Sequence, residues 1–299
     1  MSKRIRIQLS LMITFMFSLV SINPAFAENS LIPDKNLEQA IRIELNKPTG
    51  TITEQDLASL TSLYPEDSEK KVVSLTGLEY AVNMESLMLP GLGITSIEPL
   101  KNLRKVTFLA LNGNQISEME PLQEMKQLKQ LIIDANNIEK LDALSGLTNL
   151  TDLLIGHNRI KDLSPIQTLT KLNWLIINDN QIQSLEPLRN HPNLEYLYIE
   201  NNQIQDISVL TSLPKLKEVS LSNNPLDANA KEILAELSAK GVEIVDFEEE
   251  AQPVPSTHPD KITAMPTNKI SDYYFLPFLR NGSVLVPFIV ILESLGMNN

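Results

Sequence analysis

Between residues 87 and 226 the hydrophobic positions of this chain come in steps of two, and the steps return every 22 residues. Leu109/Leu111, Leu131/Ile133, Leu153/Ile155, Leu175/Ile177, Leu197/Ile199 and Val219/Leu221 hold one register, and Leu87/Leu89 begins an earlier copy. Three places after each of the six full steps stands an asparagine: Asn114, Asn136, Asn158, Asn180, Asn202 and Asn224. Ile116, Ile138, Ile160, Ile182 and Ile204 follow the first five by two places, and Leu226 follows the sixth. In the early copy Leu92 takes the asparagine's place. A step of two is the period of a strand, and six asparagines in phase are no product of chance.

Together these positions spell L-x-x-L-x-L-x-x-N-x-I, a leucine-rich repeat. The expected fold is an α/β solenoid, a curved rod of 22-residue coils whose strands align as a parallel sheet on the concave side. Each L-x-L puts two aliphatic side chains inward, and a single coil cannot bury them without neighbours. After the strand the chain turns, and its amides lose their strand partners. An inward asparagine donates and accepts at once, so the ladder is read as structural. Leaving such groups unpaired costs roughly 1–3 kcal/mol each. On the return leg Pro99, Pro121, Pro165 and Pro187 fall in phase, with Ala143 and Val209 in the same slot, which suits short helical turns. His191 takes a slot filled elsewhere by Ala81, Leu103, Met125, Leu147, Leu169 and Leu213, and reads as a tolerated substitution near the convex surface.

An open solenoid exposes core at both ends, so the flanks are expected to be caps. Residues 28–70 form the first. There "DKNLEQAIRIELNK" has helical spacing at Leu37, Ile41 and Leu45 with Asp34 as N-cap, and "TEQDLASLTSL" opens on a Thr53/Asp56 box and continues helical. Repeats fill residues 71–226. Residues 227–247 read as one helix stopped at Gly241, then a short strand. The stretch "EEEAQPVPSTHPDK", residues 248–261, is acidic and proline-rich, which suits a semi-stiff linker. In residues 262–299 the apolar run "VLVPFIVIL" is too short to span a membrane and reads as a strand followed by a helix start.

The first 27 residues follow a different pattern: Lys3, Arg4 and Arg6, then "LSLMITFMFSLVSI", then the small residues Ala25 and Ala27. This is the order of a secretory signal peptide cleaved after Ala27, and it implies a secreted or envelope-associated protein. The alternative, an uncleaved anchor, has a short apolar run for a span of ~20 residues. The formal net charge of −12 becomes three units more negative once that segment is removed. So acidic a chain argues against nucleic acid as a partner. With no cysteine there is no disulfide, thiolate metal site or cysteine nucleophile. His157, His191 and His258 form no metal-spaced pair, and no nucleophile elbow, zinc-protease helix or phosphate-binding glycine loop is present. No metal, no cofactor and no enzymatic activity are expected.

Strand alternation assigns the remaining strand positions to the concave side. One column reads Ser86, Phe108, Gln130, Asp152, Trp174, Tyr196, Glu218; the next reads Met88, Ala110, Ile132, Leu154, Ile176, Tyr198, Ser220. Seven strands make a face roughly 30 Å long. Phe108, Ile132, Leu154, Trp174, Ile176, Tyr196 and Tyr198 form an exposed apolar and aromatic stripe along it, the candidate partner-binding residues. Asp134, Asp152, Asp179, Glu200 and Glu218 lie around the stripe and favour a partner with basic patches. Strand propensity alone accounts for Ile132 and Ile176 but poorly for Trp174 beside two tyrosines. Aromatic faces also stack on sugars, so a cell-wall glycan is the other ligand class.

The repeats, the helical cap "DKNLEQAIRIELNKP" and the stretch "SLTGLEYAVNMESLMLPG" resemble the bacterial internalin family over roughly residues 31 to 247. That resemblance implies a secreted or wall-associated rod that binds a protein through its concave sheet, in adhesion or recognition. The family's usual sorting motif and wall-binding modules are missing. The tail "RNGSVLVPFIVILESLGMNN" resembles the opening of a copper amine oxidase N-terminal-like domain, a stalk module, through Gly282, Leu285, Val286, Pro287, Glu293, Leu295 and Gly296. It implies a partial stalk-like domain at 262–299, and with it a second reading, a cell-envelope structural or glycan-binding protein retained through that segment.

Overall fold

The computed structural model describes residues 30–65, 71–245, 279–280 and 283–284. The expected signal peptide, the linker and the residues that carry the stalk-like resemblance, Gly282, Leu285, Val286, Pro287, Glu293, Leu295 and Gly296, lie outside the described residues. The chain divides into two compact units, residues 1–247 and 248–299.

In the first unit, α1 (Lys35–Glu44) begins at Asp34, whose Oδ1 accepts from the amides of Asn36 (3.0 Å) and Leu37 (3.1 Å). The other carboxylate oxygen accepts from Val73 N at 2.6 Å and Ser74 N at 3.3 Å, so one buried aspartate caps the helix and ties it to the first coil. Leu37 and Ile41 face the core and close the end of the rod. Helix α2 (Glu54–Ala58) starts on a full capping box of Thr53 and Asp56. Lys47 Nζ lies 2.6 Å from the same Asp56 carboxylate, and with the Thr53 contacts it holds that carboxyl down to about 2.

The helical pattern expected through Leu63 stops at Ala58 instead, and Ser62–Leu63 form strand β1. The reason is a hydrogen-bonding demand at the sheet's first edge. The amides of Glu85 and Ser86 need acceptors there, and Thr61 O supplies them at 2.8 and 3.1 Å.

The seven expected strands are β2 (Ser86–Met88), β3 (Phe108–Ala110), β4 (Gln130–Ile132), β5 (Asp152–Leu154), β6 (Trp174–Ile176), β7 (Tyr196–Tyr198) and β8 (Glu218–Ser220). All are parallel, paired in sequence order and without a register slip, so Leu87, Leu109, Leu131, Leu153, Leu175, Leu197 and Val219 stack in one buried row. Each return leg is a turn of 3-10 helix, such as Glu98–Leu100 and Glu186–Leu188, with the in-phase prolines at the second residue, where no helical donor is needed. His191 proves to be core rather than near-surface, at 2% exposure, and burial pushes its imidazole below the ordinary pKa.

Helix α3 (Ala230–Ala239) closes the other end. Gly241 adopts φ 86°, which lets Val242 N reach back to Leu237 O at 3.0 Å and turns the chain into β9 (Glu243–Val245). β9 pairs with β8, so the sheet has nine strands, the outer two supplied by the caps. In the second unit, β10 (Leu279–Arg280) pairs antiparallel with β11 (Ser283–Val284). Among the described residues no helix is long and apolar enough to cross a membrane.

Candidate binding face

The ladder asparagines set the geometry on which the face is built. Asn158 is typical. Its Oδ1 accepts from Ile138 N of the preceding coil at 3.0 Å, and its Nδ2 faces the carbonyls of Ile133, Ile155 and Gly156 at 3.2, 3.2 and 3.0 Å. Asn114, Asn136, Asn180, Asn202 and Asn224 repeat both halves of this arrangement. Every one therefore stitches its own turn to the coil before it.

A second column went unread in the sequence. The residue just before each asparagine is left-handed: Gly113, Ala135, His157, Asp179, Asn201 and Asn223 all have φ between 51° and 70°, as does Gly91 in the early copy. Glycine, aspartate and asparagine accept this conformation readily, whereas Ala135 and His157 bear its steric cost. The signal was visible as an enrichment in Gly, Asn and Asp at one phase of the repeat. The turn fixes where each coil leaves the sheet, and so where the concave face ends.

Three columns of side chains make that face, because alternation continues one step past each strand to Pro90, Asn112, Asp134, Gly156, Asn178, Glu200 and Ser222. The three columns carry four carboxylates, Asp134, Asp152, Glu200 and Glu218, and no Lys, Arg or His. Among the described residues, none of the four lies within ion-pairing distance of a basic side chain. Cations stand at the margins: Lys217 binds Glu195 at 2.6 Å and lies 6.0 Å from the Tyr196 ring centre.

The candidate residues fall into two groups. Ile132, Leu154, Ile176, Tyr196 and Tyr198 are partly exposed. Phe108 and Trp174, expected to be exposed, are buried, at 9% and 7%. Coils repeat at ~4.8 Å, less than the width of an aromatic ring, so side chains of flanking coils cover a ring on this face. The Trp174 case is explicit. Its ring stacks on Tyr196 at 4.8 Å and 25°, and on Tyr198 at 6.2 Å and 18°. The tyrosines present the outer surface and the indole is their support. Tyr198 donates its hydroxyl to Glu218 Oε1 at 2.6 Å, and burial with that carboxylate raises its pKa well above the ordinary phenol value.

Two further features escape sequence reading. Asp134 is buried at 9% exposure, and burial pushes its carboxyl up to about 7 against the pull of its own backbone amide. Gly156 leaves room for the Asn178 side chain, whose Oδ1 lies where a Cβ would stand. Asn178 also donates to Asp179 at 2.6 Å, while His157 Nε2 is 3.5 Å from Asp179 Oδ2, a small polar cluster at the face's margin. No group of acidic and histidine side chains among the described residues is arranged to hold a metal ion.

Comparison with known proteins bears on this arrangement. A family model for leucine-rich repeats matches residues 170–212 and 192–231. Internalin C2 from Listeria monocytogenes is 33% identical, over 65% of this chain and 96% of that protein's chain, with a TM-score of 0.54. The chain belongs to the internalin family. Internalin F from the same organism is 26% identical over 74% of this chain and 97% of that one, with a TM-score of 0.34. A leucine-rich repeat protein of Leptospira interrogans is 24% identical over 57% and 50%, with a TM-score of 0.48. No curated protein sequence matches. An internalin-like repeat fold is one suited to protein interaction or adhesion. The comparisons lend no support to the stalk-like resemblance of residues 262–299.

Proposed function

We propose that this internalin-family chain is exported and binds a protein partner through its concave face, centred on Tyr196 and Tyr198. The observation that carries the reading is the stacked Trp174, Tyr196 and Tyr198 cluster, set among carboxylates that have no basic neighbour within ion-pairing distance among the described residues. Tyrosines held rigid by a buried ring lose little conformational freedom on binding and offer large contact area, as interface anchors do. Ile132, Leu154 and Ile176 extend the apolar surface along the face, and Phe108, like Trp174, is buried in it. Uncompensated negative charge favours a partner that is basic at the point of contact.

The test immobilises the full mature chain and its Tyr196→Ala/Tyr198→Ala variant and compares proteins held from host-cell and bacterial-envelope extracts. A protein held by the first and released by the second, with both melting alike, supports the reading. Equal capture by both overturns it. The second reading, envelope retention through the stalk-like segment 262–299, is favoured by the chain's division after Phe247. Deleting residues 248–299 separates the two: retention falls on that reading, and partner binding persists on the first.

A further inference from the structure

We propose that the C-terminal end of the concave face is an anchor site for an arginine side chain of the partner, formed by Tyr198, Glu200, Glu218 and Ser220. The inference rests on the concave face being the binding surface, and it names the chemistry that the surface recognises.

Ser220 is the observation that points to a ligand. It belongs to a concave column, in register between Tyr198 of β7 and Val245 of β9, and it is fully buried at 0% exposure. Among the described residues its hydroxyl has no hydrogen-bond partner. The Oε2 atom of Glu200, two residues beyond Tyr198 on the same face, is also buried without a partner among the described residues. Glu218, diagonal to Tyr198, commits Oε1 to the tyrosine hydroxyl at 2.6 Å and keeps its second oxygen. Glu218 and Glu200 flank Tyr198 and Ser220 along the strands, so a coil spacing of ~4.8 Å and a two-residue step of ~6.6 Å set the outermost backbone positions of the patch about 14 Å apart.

The site is rich in acceptors and poor in donors. A carboxylate has only lone pairs to offer, the Tyr198 proton is already used, and Ser220 can supply one hydrogen. Among the described residues no cation pairs with Glu200 or Glu218, and Lys217 is held by Glu195. The missing partner must bring several N–H donors, a positive charge and a flat surface that suits a tyrosine ring. Guanidinium has all three: five donors in a planar fork, a permanent charge and a tendency to stack on aromatics. Ammonium offers charge without the plane, and an amide offers donors without the charge.

Trp174 is the only tryptophan and lies 6.2 Å from Tyr198, so its fluorescence reports on the site. The full mature chain is titrated with an acetylated, amidated Gly-Arg-Gly peptide and with the counterpart carrying citrulline, which has the same shape and no charge. The arginine peptide is expected to give a saturable change, and citrulline to bind about tenfold more weakly, which corresponds to ~1.4 kcal/mol. Glu200→Gln and Ser220→Ala are each expected to weaken the arginine peptide severalfold while melting like the parent. Equal response to citrulline, no saturable response to arginine, or undiminished binding in Glu200→Gln overturns the anchor. A partner that depends on Tyr196 and Tyr198 but is held equally by Glu200→Gln also overturns it, and leaves the concave face intact as the binding surface. A partner held equally by the Tyr196→Ala/Tyr198→Ala variant overturns both.

Discussion

The asparagine ladder and the concave face lie a few residues apart in every coil, yet one is the same throughout and the other changes at each step. Asn136 and Asn180 make the same bonds to the same relative positions. Gln130, Asp152, Trp174 and Tyr196 share one column and have almost nothing else in common. The ladder is buried and must satisfy turning backbone, a demand identical in each coil. The face is met by solvent or by a partner, and no repeated backbone need dictates it. Repetition therefore marks what holds the rod together, and departure from repetition marks where recognition can be placed.

The sharpest way to break this contrast is to remove one rung. Asn158→Ala strands an amide and a carbonyl of the preceding coil and two carbonyls of its own turn, and is expected to cost about 3–5 kcal/mol, read as a lower denaturation midpoint. An unchanged midpoint would mean that water replaces the rung and that the ladder is dispensable.

Asp134 tests the opposite case, a face residue that has become buried. Its carboxyl ionises near 3.8 when free and near 7 in the fold. Below pH 4 both states are protonated and there is no penalty. As pH rises from about 4 to about 7 the unfolded chain releases a proton that the fold retains, so stability falls across that window and then levels. Asp134→Asn is expected to raise stability by roughly 2–4 kcal/mol at pH 8 and to change little at pH 4. Paired thermal melts at the two pH values check it.

Trp174→Ala removes the support under two tyrosines and is expected to cost about 2–3 kcal/mol, well above a surface substitution. A loss that small residues could explain would return the indole to the surface. Smallest is Ala135→Gly, which relieves a left-handed alanine at φ 51° and is expected to stabilise by at most about 1 kcal/mol. A loss of stability there would show that the turn depends on the alanine's packing.

Much of this architecture was legible along the chain. The 22-residue phase, the buried leucine rows, the ladder, the Asp34 and Thr53 helix starts and the stop at Gly241 each follow from local chemistry that repeats or punctuates the sequence. The shortened α2 and the added strand β1 did not, because they answer the hydrogen-bonding needs of a sheet edge that exists only once the coils have stacked. The face shows the same division. Strand alternation assigned Trp174, Tyr196 and Tyr198 to one side of the sheet, and they do meet there. Which of them is support and which is surface depends on side chains 22 residues away. Asp134 and Ser220 are likewise buried on that side, which alternation alone does not indicate. The sequence by itself determined the repeat, its register and its inward faces, since each is a short-range pattern. Only the tertiary structure decided exposure and charge on the concave side, since contacts such as the stack of Trp174 on Tyr196 and the bond of Tyr198 to Glu218 join residues of different coils.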